Sequence, residues 1–141
     1  MNASMNAKQP SITVSILDAE RIEALLASDL YRNMEGIDAL ENELARANIV
    51  EPHEIPSGLI TMNSKVRFID EVTNEEHRVT LVYPGANNPA DAVSVLAPVG
   101  SALLGLTVGQ SISWQVPDGR QLRLRVLDVV YQPEASGEFH R

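Results

Sequence analysis

The feature that most constrains this chain is a change in hydrophobic period near residue 59. Before it, apolar residues recur at helical spacing: Ile22, Leu25 and Leu26, then Ile37, Leu40, Leu44 and Ala47. After it they alternate, as in Ile112, Trp114 and Val116, or Leu122, Leu124 and Val126 against Arg123 and Arg125. A period of 3.6 marks a helix with one buried face, and a period of 2 marks a strand with one wet face. The chain therefore reads as α+β: a short helical hairpin first, then an antiparallel sheet with one short helix. The hinge between them, EPHEIPSG (51–58), carries two prolines and a glycine and reads as a linker.

Local signals set the element boundaries. SITVSIL (11–17) reads as a short strand, and Asp18 has the residue type of a helix N-cap. Leu17 and Ile22 have hydrophobic-staple spacing about that cap. The first helix is expected over about 19–28 and the second over about 37–49, because Pro52 ends the helical pattern by Val50. Each is at or below the ~12–15 residues at which an isolated helix is marginal, so the two must pack as an antiparallel hairpin or against the sheet. Beyond the linker, LITMN, KVRFI, EHRVTLVY, DAVSVLA, SISWQV and LRLRVLDVVY read as strands. Pro117-Asp118-Gly119 reads as the turn joining the last two into a hairpin over 111–131. The expected organisation is a disordered tail (1–10), a helical hairpin with linker (11–55), a sheet domain (56–135) and a flexible tail (136–141).

Composition excludes several function classes. With no cysteine among 141 residues there is no disulfide framework, no thiolate zinc site and no Cys nucleophile. No apolar run approaches the ~20 residues of a membrane span, and MNASMNAKQP lacks the apolar core of a signal peptide, so a cytoplasmic location is expected. The net charge of −8 opposes direct nucleic-acid binding, which needs clustered Lys and Arg. Residues 18–51 hold nine acids against three bases, so the acidity concentrates on the hairpin, and a basic protein surface would complement it.

Candidate chemistry is sparse. His53 sits in a proline-flanked turn, His77 follows Glu75 and Glu76, and His140 lies in the tail; none has the spacing of a metal or nucleophile site. Asp29, Glu35, Asp38 and Glu41 surround the hairpin connection. Carboxylates at such a tip could hold Mg²⁺ through water, or simply solvate an exposed helix face. No cofactor is expected. Gly100-Ser-Ala-Leu-Leu-Gly105-Leu106-Thr107 has phosphate-loop spacing with Leu106 in place of the lysine. Leucine supplies neither charge nor donor to a phosphate, so nucleotide binding is rejected. Gly105 instead has the position of a left-handed residue closing a helix of one to two turns.

The stretch VSVLAPVGSALLGLTVGQSISWQVPDG resembles the C-terminal signature of the GreA/GreB transcript-cleavage factors. There a strand leads to Ser-Pro, a short Ala-Leu-Leu-Gly helix, Gly-Asp, a further strand and a Pro-x-Gly turn. Here those features fall on Val93 to Ala97, Pro98, Ala102 to Gly105, Gly109-Gln110, Ile112 to Val116 and Pro117 to Gly119. With ITVSILDAERIEALL, TMNSKVRF, LVYP and YQPEA, nearly the whole chain is similar to the Gre-like family of regulators of nucleoside diphosphate kinase.

The resemblance implies an FKBP-like fold and a nonenzymatic protein that binds RNA polymerase at the secondary-channel entrance; the charged helices and short hairpin favour a monomer. It also implies competition with Gre-type factors and an indirect effect on nucleoside diphosphate kinase levels. In Gre factors the loop before the short helix contacts the polymerase, and the matching residues are Leu96, Ala97 and Pro98, with Val99 beside them. Only the proline of that loop's pattern is kept, and Leu96 fits a buried strand position as well as an exposed one. The long coiled coil and Asp-x-x-Asp-Glu tip of the cleavage factors are missing: helices of this length reach about 15–20 Å. Asp29, Glu35 and Asp38 stand at the shortened tip, and no cleavage-stimulating acid carries over. An FKBP-like fold admits a second reading, a peptidyl-prolyl isomerase, which would need an aromatic-lined pocket drawn from Phe68, Tyr83, Trp114 and Tyr131.

Overall fold

The computed structural model describes residues 12–34, 37–85, 88–115 and 121–138. Strand β1 (Thr13–Ser15) runs directly into helix α1 (Ile16–Ala27); helix α2 (Ile37–Ala45) is followed by strand β2 (Asn48–Val50). β1 and β2 pair in parallel, Val14 opposite Ile49, which closes a strand–helix–helix–strand unit. Two expectations are corrected here. α1 begins three residues early because Ser15, not Asp18, is the N-cap: its hydroxyl accepts the Asp18 N–H at 3.1 Å. α2 ends at Ala45 instead of about 49, because the 48–50 backbone is drawn into the ladder with β1.

The linker is not loose. Pro52–Glu54 forms a 3₁₀ turn with Glu51 and Glu54 as a capping box, and Ile55 is buried. The Gln132 amide donates to the carbonyls of Pro56 (3.0 Å) and Leu59 (2.6 Å), fastening the linker to the far end of the chain.

The second sheet holds β3 (Lys65–Asp70), β4 (Glu75–Val82), β5 (Ala92–Ser94), β6 (Ser111–Gln115) and β7 (Gln121–Tyr131) in the order β5-β4-β3-β7-β6. Its pairings are antiparallel except β4 with β5, which is parallel and departs from the antiparallel expectation. β6 and β7 pair as anticipated, Trp114 opposite Leu122; the Pro117–Gly119 turn lies outside the described residues, as does the 1–10 tail. LITMN contributes only a bridge from Leu59 to Thr107 and no strand. Its polar atoms are satisfied outside a ladder: the Thr61 N–H and hydroxyl bond the Ser64 hydroxyl, and the Ile60 and Met62 N–H groups donate to the Leu106 carbonyl and the Asp18 carboxylate.

Alternation works as physical chemistry requires: Val66, Phe68, Ile112, Trp114, Leu124 and Val126 are buried, while Arg123 and Arg125 face out. Helix α3 (Pro98–Leu103) packs across this apolar face against β5, β6 and β7. Gly105 follows it at φ +82°, as its position predicted. The buried residues of the helical unit (Ile22, Leu26, Leu40, Leu44) and of the sheet belong to one continuous cluster.

Candidate partner-binding site

The exposed recess of the sheet arises from a mismatch in length. α3 has six residues, about 9 Å of helix, whereas the eleven residues of β7 extend some 36 Å. The helix therefore covers only part of the apolar face, and a cleft of about 420 Å³ opens beside its first turn. Phe68 and Leu124 form part of its base, His77 and Val79 come from β4, and Ala97, Pro98 and Val99 form the helix-side wall. Register places Phe68 directly opposite His77, and their rings stack with centroids 5.3 Å apart at 30°. Asp70 is the carboxylate among the lining residues. The surroundings are apolar walls with a few polar groups, suited to gripping a protein side chain.

Three of the four predicted loop residues thus meet at this cleft. Pro98 is exposed, and Ala97 and Val99 are half-buried. Leu96 is not among the lining residues: its side chain belongs to the buried cluster although it lies in the turn after β5, not in a strand, and its N–H is held by the Ser94 hydroxyl at 3.0 Å. The tip acids are not gathered. Asp29 pairs with Arg32 at 3.4 Å, Asp38 is exposed in the first turn of α2, and Glu35 lies outside the described residues. Among the described residues no group of three or more His, Asp or Glu is placed to hold a metal ion. His53 is exposed in the linker turn, and His140 lies outside the described residues. No helix among the described residues is long and apolar enough to cross a membrane.

Sequence reasoning missed a buried polar centre that orients the helical unit. Asp18 in the first turn of α1 accepts the Met62 N–H at 3.2 Å with one oxygen and the Tyr83 hydroxyl at 3.2 Å with the other. The Arg21 guanidinium lies 5.9 Å from the centre of the Tyr83 ring. Thr61 donates to Glu134 at 2.7 Å beside it. Burial pushes the Asp18 carboxyl up to about 6; the Met62 N–H opposes that rise, the nearby Glu134 charge adds to it, and Tyr83 and Arg21 oppose it. The Tyr83 phenol is driven upward by burial and then by the Asp18 charge, so it stays a donor. The available signal was Ser15-x-x-Asp18 ahead of an apolar run, half of a capping box.

Residues 55–131 match the family described as Transcription elongation factor, GreA/GreB, C-term, and residues 10–50 match Rnk N-terminus. The Regulator of nucleoside diphosphate kinase of Escherichia coli (strain K12) is 46% identical over 132 residues, spanning 93% of this chain and 97% of that protein. The chain belongs to the regulator of nucleoside diphosphate kinase family. The transcription elongation factor GreA of Thermodesulfovibrio yellowstonii is 33% identical over 119 residues, covering 78% of this chain and 75% of that one. Among solved structures, the prokaryotic transcription elongation factor GreA/GreB from Nitrosomonas europaea aligns at a TM-score of 0.66 with 50% identity, over 87% of this chain and all of that one. Like that structure, this member of the regulator family has a mixed helix-and-sheet, GreA/GreB-like fold, and its relatives are regulators and transcription factors.

Proposed function

We propose that this protein is a nonenzymatic, monomeric cytoplasmic transcription regulator that binds RNA polymerase at the secondary-channel entrance and competes there with Gre-type factors. The observation that carries the reading is the coincidence of the GreA/GreB C-terminal match with a cleft walled by Ala97, Pro98 and Val99. Those residues correspond to the loop through which the resemblance implies polymerase contact. Helices of 12 and 9 residues span about 18 and 14 Å, which supports occupancy of the entrance without stimulation of transcript cleavage. Any effect on nucleoside diphosphate kinase is then exerted through transcription, not by touching the enzyme. The isomerase alternative has no observation in its favour, since the cleft draws only Phe68 from the four aromatics considered for it.

Pull-down with core RNA polymerase, repeated with GreB as competitor, tests the proposal. The expected result is retention at low micromolar concentration and displacement by GreB; no retention overturns it. Val99→Asp is expected to weaken retention about tenfold or more by placing a charge in the apolar wall, with the far-ultraviolet spectrum unchanged.

A further inference from the structure

The two helices carry the same five-residue pattern, Glu-x-x-Leu-Ala: Glu23 to Ala27 on α1 and Glu41 to Ala45 on α2. In the fold these segments meet. Glu23, Leu26 and Ala27 from one helix, with Glu41, Leu44 and Ala45 from the other, line a groove of about 310 Å³ that shares no lining residue with the cleft beside α3. Leu26 and Leu44 are buried and form its floor. The alanines leave the space that longer side chains would fill. Both glutamates are exposed, and among the described residues neither pairs with a cation: Arg46 is bonded to Glu43, and Arg32 to Asp29.

A trough with an apolar floor and a carboxylate from each wall complements one kind of side chain, a long aliphatic stem ending in a positive charge. The concentration of acid over residues 18–51 extends that complementarity beyond the groove. We infer that the α1–α2 groove is a second docking site, which seats a lysine or arginine side chain from a basic segment of the partner protein. The inference rests on the polymerase reading above and adds to it a distinct contact that sets orientation and salt sensitivity. Nucleic acid is repelled by the same charges, and an apolar helix would leave both carboxylates to be desolvated unpaired.

The test measures the affinity of the full chain for core RNA polymerase at two salt concentrations, with thermal melting to confirm folding. Glu23→Gln with Glu41→Gln is expected to weaken binding about fivefold at low salt and to flatten its salt dependence. Ala27→Met with Ala45→Met fills the groove without altering charge, and a comparable loss is expected. If the unaltered chain binds and Val99→Asp weakens it while both groove pairs bind as tightly as wild type, the groove inference is overturned and the polymerase reading stands. If the unaltered chain does not bind, that reading falls, and the partner named here falls with it.

Discussion

Two glycines show how single residues hold this molecule together. A Cβ on Gly100 would land on the Ser94 carbonyl and reach the Leu81 side chain at 3.1 Å, so only glycine lets α3 seat against β4 and β5. A Cβ on Gly105 would meet the Ile12 Cβ at 2.6 Å in a left-handed backbone, at the point where the Gly105 N–H bonds Ile60 and its carbonyl receives Thr13. Gly100→Ala is expected to cost about 3 kcal/mol or more and Gly105→Ala about 2–3 kcal/mol, read as shifts in urea midpoint. Asp18 governs a pH response. Its carboxyl titrates near 3.8 unfolded and about 6 folded, so the folded state holds that proton more tightly. The contribution of Asp18 to stability is therefore greatest below about pH 4, declines as pH rises to 6, and is level above; the full change is about 3 kcal/mol. Asp18→Asn removes the titration and keeps one acceptor, for the Met62 N–H, while its amide can only donate toward the Tyr83 oxygen; the difference between wild-type and variant stability should show that decline in urea unfolding from pH 4 to 7.

At the scale of elements, the cap of α1 decides where the helical unit starts and which face it buries. Ser15 is itself buried, and its hydroxyl satisfies the Asp18 N–H at that helix terminus. Ser15→Ala should destabilise by about 1–2 kcal/mol, measured by chemical unfolding, with α1 fraying first in amide exchange. The helices and most strands were legible because local period reports them directly. The ends were not: α1 gains a turn from the Ser15 cap and α2 loses one to the β1–β2 ladder, a pairing between residues 13–15 and 48–50 that no local pattern announces. DAVSVLA was legible as a strand, but the parallel pairing of β5 was hidden for the same reason, since alternation reveals a strand but not its direction or neighbour.

At the scale of the whole molecule, the helical unit and the sheet share one core despite the proline-rich segment between them. Leu40 is fully buried in the helical part and Trp114, the sole tryptophan, in the sheet. Unfolding should therefore follow a single transition, with Trp114 fluorescence and helical circular dichroism superimposing. Leu40→Ala is expected to move both signals together by about 2–5 kcal/mol, whereas independent domains would shift the dichroism alone. The same joining constrains function, because the cleft beside α3 and the groove between α1 and α2 are carried on a common frame held at Asp18, Tyr83 and Met62.

By itself the amino-acid sequence determined the class of fold, the short reach of the helices and the Gre-like signature, because period, charge and spacing are properties of neighbouring residues. Tertiary structure alone decided that Leu96 is core while Pro98 is surface, that PVGSALLG is a joint between the helical unit and the sheet, and that Asp18 is buried against Tyr83. These depend on contacts between residues far apart in the chain, such as Asp18 with Met62 and Ile12 with Gly105. Burial of a polar group or a bare glycine is set by what the fold brings beside it.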